Sequence, residues 1–307
     1  YPPPPPGETG AIFGGLFFLV VLGGRRFYRA QGHEVRSRAE QELLSIARLK
    51  ADQIQTWRAD QLADGEVLMA SPSFVDAVTR WRAQPGTDPS TYIRSRVDAM
   101  IRCYHYAAVK LLGPGETPLW SSDGALYPLH PEAIRTVEQA MAERRPVLTD
   151  IHADPVTHKA HVEVVVPLFA PGGDGQAVGA VLLVVNLDHY FFPLIQSWPV
   201  PSESAETLIV RRDGGDALFL NTVRHRQDTA LSMRIPLTET NVPAVMAIQG
   251  RRGVVEGEDY RGVDVLAVIT PIPDSGWFMI TKVDAAEVFR TWRRWALGFL
   301  ALIATML

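Results

Sequence analysis

The chain contains a single cysteine, Cys103, among its 307 residues. No disulfide can therefore form within the chain, and zinc sites that need two or four cysteines are excluded. The absence of disulfides remains compatible with an oxidising compartment, because a chain of this length can bury enough apolar surface to be stable without crosslinks. Apolar residues make up 47% and charged residues 21% of the chain, as in globular proteins.

An excess of basic residues is also missing. Lysine and arginine number 30 against 34 aspartate and glutamate residues, for a net charge of -4. Nucleic-acid-binding proteins usually carry a basic face or stripe, so we expect no nucleic acid partner. The sequence contains no G-x-S-x-G motif, no P-loop and no kinase motif. We therefore expect neither a cofactor nor an enzymatic activity in this chain.

Long apolar runs are restricted to the two ends of the chain. Residues 11–24 and 295–307 contain no charged residue, although each segment is shorter than the roughly 20 residues that a membrane-spanning helix needs. Residues 286–307 are predicted as a helix that leads into a second, truncated transmembrane segment. The first segment follows a proline-rich tail, residues 1–10, through which no helix can continue. For this segment a membrane anchor is favoured over a cleaved signal peptide, since no basic region precedes it and no clear A-x-A site follows it.

The rest of the chain alternates between helix and strand patterns. Residues 31–70 contain no proline, and their apolar residues recur at steps of three and four, which predicts one long helix. From Tyr106 onward, short apolar runs predict antiparallel strands, interrupted by a helix that opens at Pro131. A smaller cycle of the same order begins near Ser202, with a hairpin around Gly214. This order predicts an α+β fold with helices on the faces of the sheets.

Three stretches resemble the double Cache domain, the tandem PAS-like extracytoplasmic module of bacterial sensor kinases, diguanylate cyclases and chemoreceptors. They read LLSIARLKADQIQTWRADQLAD, YFFPLIQSWPVPSESAETLIVRRDGGDALFLN and DYRGVDVLAVITPIPDSGWFMITKVDAAEVF. The resemblance implies a long juxtamembrane helix followed by two PAS-like antiparallel-sheet domains between transmembrane segments. The membrane-distal domain, residues 71–200, is expected to bind a small molecule, whereas the membrane-proximal domain, residues 201–285, is not.

The resemblance also implies a cellular placement and an output. Residues 30–289 are expected to be periplasmic in a receptor of the inner membrane, with a histidine kinase or diguanylate cyclase domain beyond residue 307. We expect the receptor to be a homodimer. Amino-acid-binding members of the family carry an arginine and a Trp-Tyr pair ahead of the pocket strands. Here Arg94 and Arg96 are followed by Val97 and Asp98, which argues against an amino-acid ligand.

The stretch VLTDIHADPVTHKAHVEVVVPLF, residues 147–169, contains three histidines. If residues 160–169 form a strand, its period of two places Ala160, Val162, Val164 and Val166 on one face, which we expect to pack on the long helix. His161 and Glu163 then face the opposite way, where PAS-like domains have their cavity. The predicted ligand pocket combines them with other polar and aromatic residues, namely Tyr104, Tyr106, Trp120, Asp150, His152 and Asn186.

Other interpretations of the same residues stay open at the level of sequence. Asp150, His152, His161 and Glu163 are also a possible ligand set for a metal ion, and hence for a metal-dependent hydrolase. The H-x5-H-x2-H spacing, however, is not that of a known zinc motif. The same positions are equally compatible with a solvated hairpin, in a structural or dimerisation module that binds no ligand.

Overall fold

A computed structural model describes residues 6–84, 86–113, 118–170, 175 and 177–290 of the chain. The helices in these residues are α1 (Pro6–Met69), α2 (Pro72–Arg82), α3 (Thr91–Tyr104), α4 (Pro131–Glu143), α5 (Phe191–Gln196), α6 (Pro243–Ile248) and α7 (Ala285–Val288). The first sheet consists of β1 (Tyr106–Leu112), β2 (Pro118–Ser121), β3 (Val147–Leu148), β4 (His152–Ala153), β5 (Ala160–Phe169) and β6 (Ala177–Val185). The second sheet consists of β7 (Glu206–Asp213), β8 (Asp216–Phe219), β9 (Arg234–Pro236), β10 (Gly253–Glu258), β11 (Asp264–Pro271) and β12 (Trp277–Asp284).

Helix α1 is continuous over 64 residues. It begins at Pro6, where the missing proline N–H is not needed, and it includes residues 7–10, which the sequence assigned to a tail. Most of the predicted apolar stripe of the helix is buried, with Ile54 at 0% exposure and Leu43 at 2%, but Leu49 is 54% exposed. The helix packs on β5 of the first sheet and on β11 and β12 of the second. The helix therefore contacts both sheets directly.

The predicted membrane segments lie at the two ends of the chain. Residues 295–307 are outside the described residues, and for residues 11–24 the structure describes the helical backbone. Within the described part of the chain, no helix combines the length and the apolar character that a membrane span requires. The flanking transmembrane segments therefore stay predictions.

The first sheet has helices on both faces. Its strands run in the order β2-β1-β6-β5-β3, and β4 pairs with β5 beside β3. Val162, Val164 and Val166 of β5 belong to the same apolar core as Ile54 of α1, as the strand period predicted. Val165 packs instead with residues of α4. The opposite face of β5 is thus covered by α4, and Glu163 lies on that face.

The second sheet repeats the antiparallel pattern, in the order β10-β11-β12-β7-β8-β9. Its first hairpin turns at Gly214, whose φ of 59° is the left-handed conformation that the sequence pattern required. A linker that contains α5 joins the two sheets and is attached to α1 by Lys50. The Lys50 ammonium donates to the carbonyls of Leu194 and Ile195 at 2.8 Å and to that of Ser197 at 2.5 Å.

Candidate functional site

The hairpin formed by β4 and β5 brings two histidines face to face. His152 and His161 are direct cross-strand partners, and their ring centroids are 4.4 Å apart. Glu163 lies two residues beyond His161, so its side chain shares the same face of the strand. All three residues are buried, with whole-residue exposures of 4%, 7% and 2%. These three residues are called the His-Glu cluster below.

The polar atoms of the His-Glu cluster converge. His152 Nε2 lies 3.7 Å from Glu163 Oε2, and His161 Nε2 lies 3.8 Å from Oε1. Each residue offers one ligand-type atom, and the three atoms lie within 4.8 Å of one another. On β1, Lys110 places its buried ammonium 3.8 Å from Glu163 Oε1. Glu163 Oε2 is buried and has no hydrogen-bond partner.

The hydrogen bonds of the histidine rings indicate where their protons lie. His152 Nδ1 is 2.9 Å from the carbonyl oxygen of Asp150, so this nitrogen carries the proton and donates. His161 Nδ1 makes a longer contact of 3.5 Å with the carbonyl oxygen of Lys159. The Nε2 lone pair of His152 then points toward Glu163 Oε2. His161 Nε2 faces the other oxygen, Oε1, and a hydrogen bond from His161 lowers the pKa of that carboxyl group.

The charge states follow from burial and from neighbouring charges. Burial alone would raise the pKa of Glu163, but His161, His152 and Lys110 lower it overall, so the carboxyl group is ionised. Burial lowers the pKa of His152, and the neighbouring His161 lowers it further. At neutral pH the His-Glu cluster therefore contains a carboxylate and a neutral His152 imidazole.

Four further residues surround the His-Glu cluster, and sequence reasoning missed all of them. Lys110 lies 4.8 Å from the ring centroid of Tyr127, whose hydroxyl donates to Asp154 at 2.6 Å. His130 is the N-cap of α4 and stacks on His152 at 4.5 Å. The sequence did contain one signal for this site. Lys110 is the one charged residue in the apolar run AAVKLLG, and a lysine on a buried strand indicates a nearby partner, because an unpaired lysine is almost never buried.

Four of the residues predicted to line the pocket lie elsewhere. Tyr104 is exposed. The hydroxyl of Tyr106 donates to Asp64 of α1, and Trp120 packs against the core on the α1 side of the sheet. Asn186 is exposed, and its side chain accepts a hydrogen bond from a nearby backbone N–H. The structure therefore does not bring these four side chains to the His-Glu cluster.

Asp150 is also separated from the cluster, because the strand register changes between β3 and β4. Leu148 is opposite Val164, whereas His152 is opposite His161. Between these two pairs the chain advances by four residues from β3 to β4 but by only three residues along β5. This one-residue difference turns the side chains before and after it to opposite faces of the sheet. The carboxylate of Asp150 points to the second sheet, where it accepts from Arg211 at 3.1 Å and from Trp277 Nε1 at 2.6 Å.

Two open cavities of the described residues lie away from the His-Glu cluster. One of about 600 Å³ is lined by α2, α3 and the loop between them, including Arg80 and Trp81. Another, of about 540 Å³, lies between the linker and the second sheet, beside Trp198 and Arg224. Neither includes a residue of the cluster, which lies on the face of the sheet that packs against α4. The candidate site is therefore an enclosed polar cluster.

Comparisons with known proteins identify the fold. No protein-family model matches the chain, and no curated protein matches it significantly. Three similar solved structures are ligand-binding domains. That of Mlp24 with asparagine has a TM-score of 0.57 at 16% identity, over 84% of this chain and 97% of the other. That of the Pseudomonas aeruginosa PAO1 amino acid chemoreceptor PctB with L-Arg has a TM-score of 0.55 at 15% identity, over 82% and 98%.

The third is the ligand-binding domain of the Pseudomonas fluorescens chemoreceptor CtaA with L-serine. It has a TM-score of 0.54 at 18% identity, over 81% of this chain and 98% of the other. The matches cover nearly the whole of each ligand-binding domain. At these identities they show a common fold, so the predicted resemblance to double Cache domains is confirmed at the level of the fold.

Proposed function

We propose that this chain is the extracytoplasmic sensing region of a membrane-bound bacterial signalling receptor. In this proposal the first sheet belongs to the membrane-distal domain, which binds a small polar ligand, and the second sheet belongs to the membrane-proximal domain. The shared fold with chemoreceptor ligand-binding domains supports the proposal. The receptor is a homodimer anchored by the apolar terminal segments, and a cytoplasmic histidine kinase or diguanylate cyclase domain provides the output.

The observation that carries the proposal is the state of Glu163. Its side chain is 3% exposed, it is ionised, and Oε2 has no hydrogen-bond partner. A buried charged oxygen without a partner destabilises a fold by roughly 1–3 kcal/mol or more. A purely structural role for Glu163 leaves this oxygen without a partner, whereas a bound ligand with a donor group would satisfy it.

The proposed site consists of the His-Glu cluster and its surrounding residues Lys110, Tyr127 and His130. Glu163 selects a ligand with a cationic or hydrogen-bond-donating group, while Lys110 favours an acceptor nearby. Tyr127, whose ring lies beside Lys110 and whose hydroxyl donates to Asp154, is proposed to close the site toward solvent. Entry of a ligand therefore requires the segment that carries Tyr127 to move.

Transmission follows from the contacts of the site with the rest of the chain. Asp150 accepts the proton of His152 Nδ1 through its carbonyl and contacts Arg211 and Trp277 through its carboxylate. A ligand that binds two arrangements of the His-Glu cluster with different affinity shifts the position of the second sheet. Because α1 packs on both sheets, the same shift reaches the proposed membrane anchor.

An enzymatic role for the hairpin is less compatible with the geometry. A metal-dependent hydrolase must keep a coordination position open to its substrate, and the three residues of the cluster are at most 7% exposed. The similar solved structures are ligand-binding domains of receptors. We therefore assign no enzymatic activity to this chain.

The proposal is tested by a thermal-shift screen of the purified 307-residue chain in detergent. The probes are single amino acids, polyamines, small carboxylates and divalent cations. We expect at least one class to raise the melting temperature, and Glu163→Gln to abolish the increase. Glu138→Gln, at an exposed position of α4, is the matched control and should retain it. The proposal fails if no probe raises the melting temperature, or if the increase is the same in Glu163→Gln.

A further inference from the structure

The donor set of the His-Glu cluster is that of a transition-metal site. Two imidazole nitrogens and one carboxylate oxygen are a common ligand set for zinc and related divalent ions. Ligand atoms at about 2.0–2.1 Å from a tetrahedral ion lie about 3.4 Å apart. His152 Nε2 lies 3.7 Å from Oε2, His161 Nε2 lies 3.8 Å from the other oxygen, Oε1, and one donor atom from each residue lies within 4.8 Å of the other two. An ion would therefore draw the three donor atoms closer together.

The surroundings of the histidines match those of metal ligands. A ligating histidine typically donates its other ring N–H to a backbone carbonyl or a carboxylate, which fixes the orientation of the ring. His152 makes this bond to the carbonyl of Asp150, and His161 directs Nδ1 toward the carbonyl of Lys159. Both Nε2 atoms thereby face the Glu163 carboxylate.

One oxygen of the cluster is left without a partner. Lys110 approaches only Oε1 and leaves Oε2 without a hydrogen bond. The unpartnered oxygen is the one nearer to His152 Nε2, at 3.7 Å. An ion among the three donor atoms would satisfy Oε2 and both imidazoles at once.

We propose that His152, His161 and Glu163 bind a divalent transition-metal ion of the zinc type. This inference rests on the proposed sensing function, for which it names the ligand class. His130 is not assigned as a fourth ligand, because its Nδ1 accepts the N–H of Glu132. The proton of His130 then lies on Nε2.

Metal binding would also affect the contacts of the second sheet. Coordination fixes His152, which is hydrogen-bonded to the backbone of Asp150, and the Asp150 carboxylate contacts Arg211 and Trp277. The ion is thus linked to the second sheet through a single intervening residue. The inferred role is therefore that of a sensed ion, whose binding changes the contact between the two sheets.

The test uses the whole chain, purified without a histidine tag and stripped with a chelator. We expect one Zn²⁺ or Co²⁺ ion per chain by titration calorimetry, and a Co²⁺ absorption spectrum typical of nitrogen and oxygen ligands. Glu163→Gln and His161→Gln should each weaken binding by more than about 100-fold, since loss of a ligand exceeds the 10- to 100-fold effects of outer residues. His189→Gln is the matched control, because His189 is exposed and forms a histidine pair with His105.

The outcomes separate this inference from the proposed function. If neither metal binds, while an organic probe raises the melting temperature in a Glu163-dependent way, the metal inference is overturned and the sensing function stands. Binding that Glu163→Gln and His161→Gln both retain also overturns the metal inference. If no organic probe raises the melting temperature and no metal ion binds, both proposals fail. The wild-type Co²⁺ spectrum keeps the test decisive even where a variant does not fold.

Discussion

The Trp277 indole donates from Nε1 to Oδ1 of Asp150 at 2.6 Å, across the boundary between the two sheets. Trp277 is 1% exposed. The guanidinium of Arg58 on α1 lies over its ring at 5.0 Å. The contact therefore joins the segment next to the His-Glu cluster, the second sheet and the long helix. A substitution at Asp150 should therefore affect the packing of both sheets.

Asp150→Ala removes the acceptor of a buried indole N–H and the partner of Arg211. The unpaired N–H alone should lower the free energy of unfolding by roughly 1–3 kcal/mol, measured by urea denaturation. Asp150→Asn keeps an acceptor for Trp277 and should cost less. Asp213→Ala breaks the exposed ion pair with Arg234 and should cost less than about 1 kcal/mol. Equal losses in Asp150→Ala and Asp213→Ala would show that the sheets are not coupled at this point.

Lys50→Met removes the donor for three carbonyl oxygens of the linker. Lys50 is 3% exposed, and burial lowers its pKa to about 8, so at pH 7 it is still mainly charged. The carbonyls of Leu194, Ile195 and Ser197 lose this contact in the variant. We expect faster hydrogen exchange in residues 194–198 and a loss of stability of roughly 1–3 kcal/mol. Arg48→Met, at an exposed position on the same helix, should change neither measurement.

Much of the fold could be predicted, because its elements are local patterns. The period of three and four in α1, the N-terminal prolines of α2 and α4, and the glycine turn at Gly214 depend only on neighbouring residues. The position of Glu163 on the α4 side of the sheet also followed from the strand period. Ser71 is the N-cap of α2, although its side chain makes no capping hydrogen bond.

The failures concern residues whose position depends on distant parts of the chain. Asp150 faces the second sheet because of a one-residue change in strand register, and alternation within one segment cannot reveal such a shift. Tyr106 and Trp120 lie on the α1 side because of the pairing of β1, which depends on β2 and β6. Lys110 joins the His-Glu cluster across the intervening strand β6. No local sequence pattern could predict which of these residues lie together in the folded chain.

Asp259→Asn tests a buried charge network in the second sheet. Lys282 is 1% exposed, and its ammonium lies 2.9 Å from Asp259 and 3.1 Å from Glu206. Burial alone would raise the pKa of Asp259, but Lys282 and Arg261 lower it overall. Removing one partner of a buried ion pair costs roughly 3–5 kcal/mol, and we expect a loss of this order at pH 7.

The pH dependence of the same variant has a definite sign. Because the folded pKa of Asp259 is below its usual value of 3.8, the unfolded chain binds more protons just below that value. The stabilisation by Asp259 is therefore present above about pH 4 and is lost as the pH falls through the folded pKa. Denaturation curves between pH 3 and 7 should be flatter for Asp259→Asn than for wild type. Asp264→Asn, at an exposed position, should leave the slope unchanged.

Tyr127→Phe tests whether the segment over the His-Glu cluster controls access to it. The variant keeps the ring beside Lys110 and loses the hydrogen bond to Asp154. Asp154 still accepts from the backbone N–H groups of Val156 and Thr157, so its turn should survive, and we expect a stability loss of only about 1–2 kcal/mol. Hydrogen exchange should become faster in residues 122–130.

The same variant separates access from affinity. If Tyr127 closes the site, Tyr127→Phe should speed both the uptake of Co²⁺ and its release to a chelator. The two changes offset each other, so the dissociation constant should change by less than about threefold, equivalent to about 0.7 kcal/mol. Tyr92→Phe, at an exposed position of α3, should leave both rates unchanged. Rates that are equal in Tyr127→Phe and wild type would assign Tyr127 a packing role and place the entry route elsewhere.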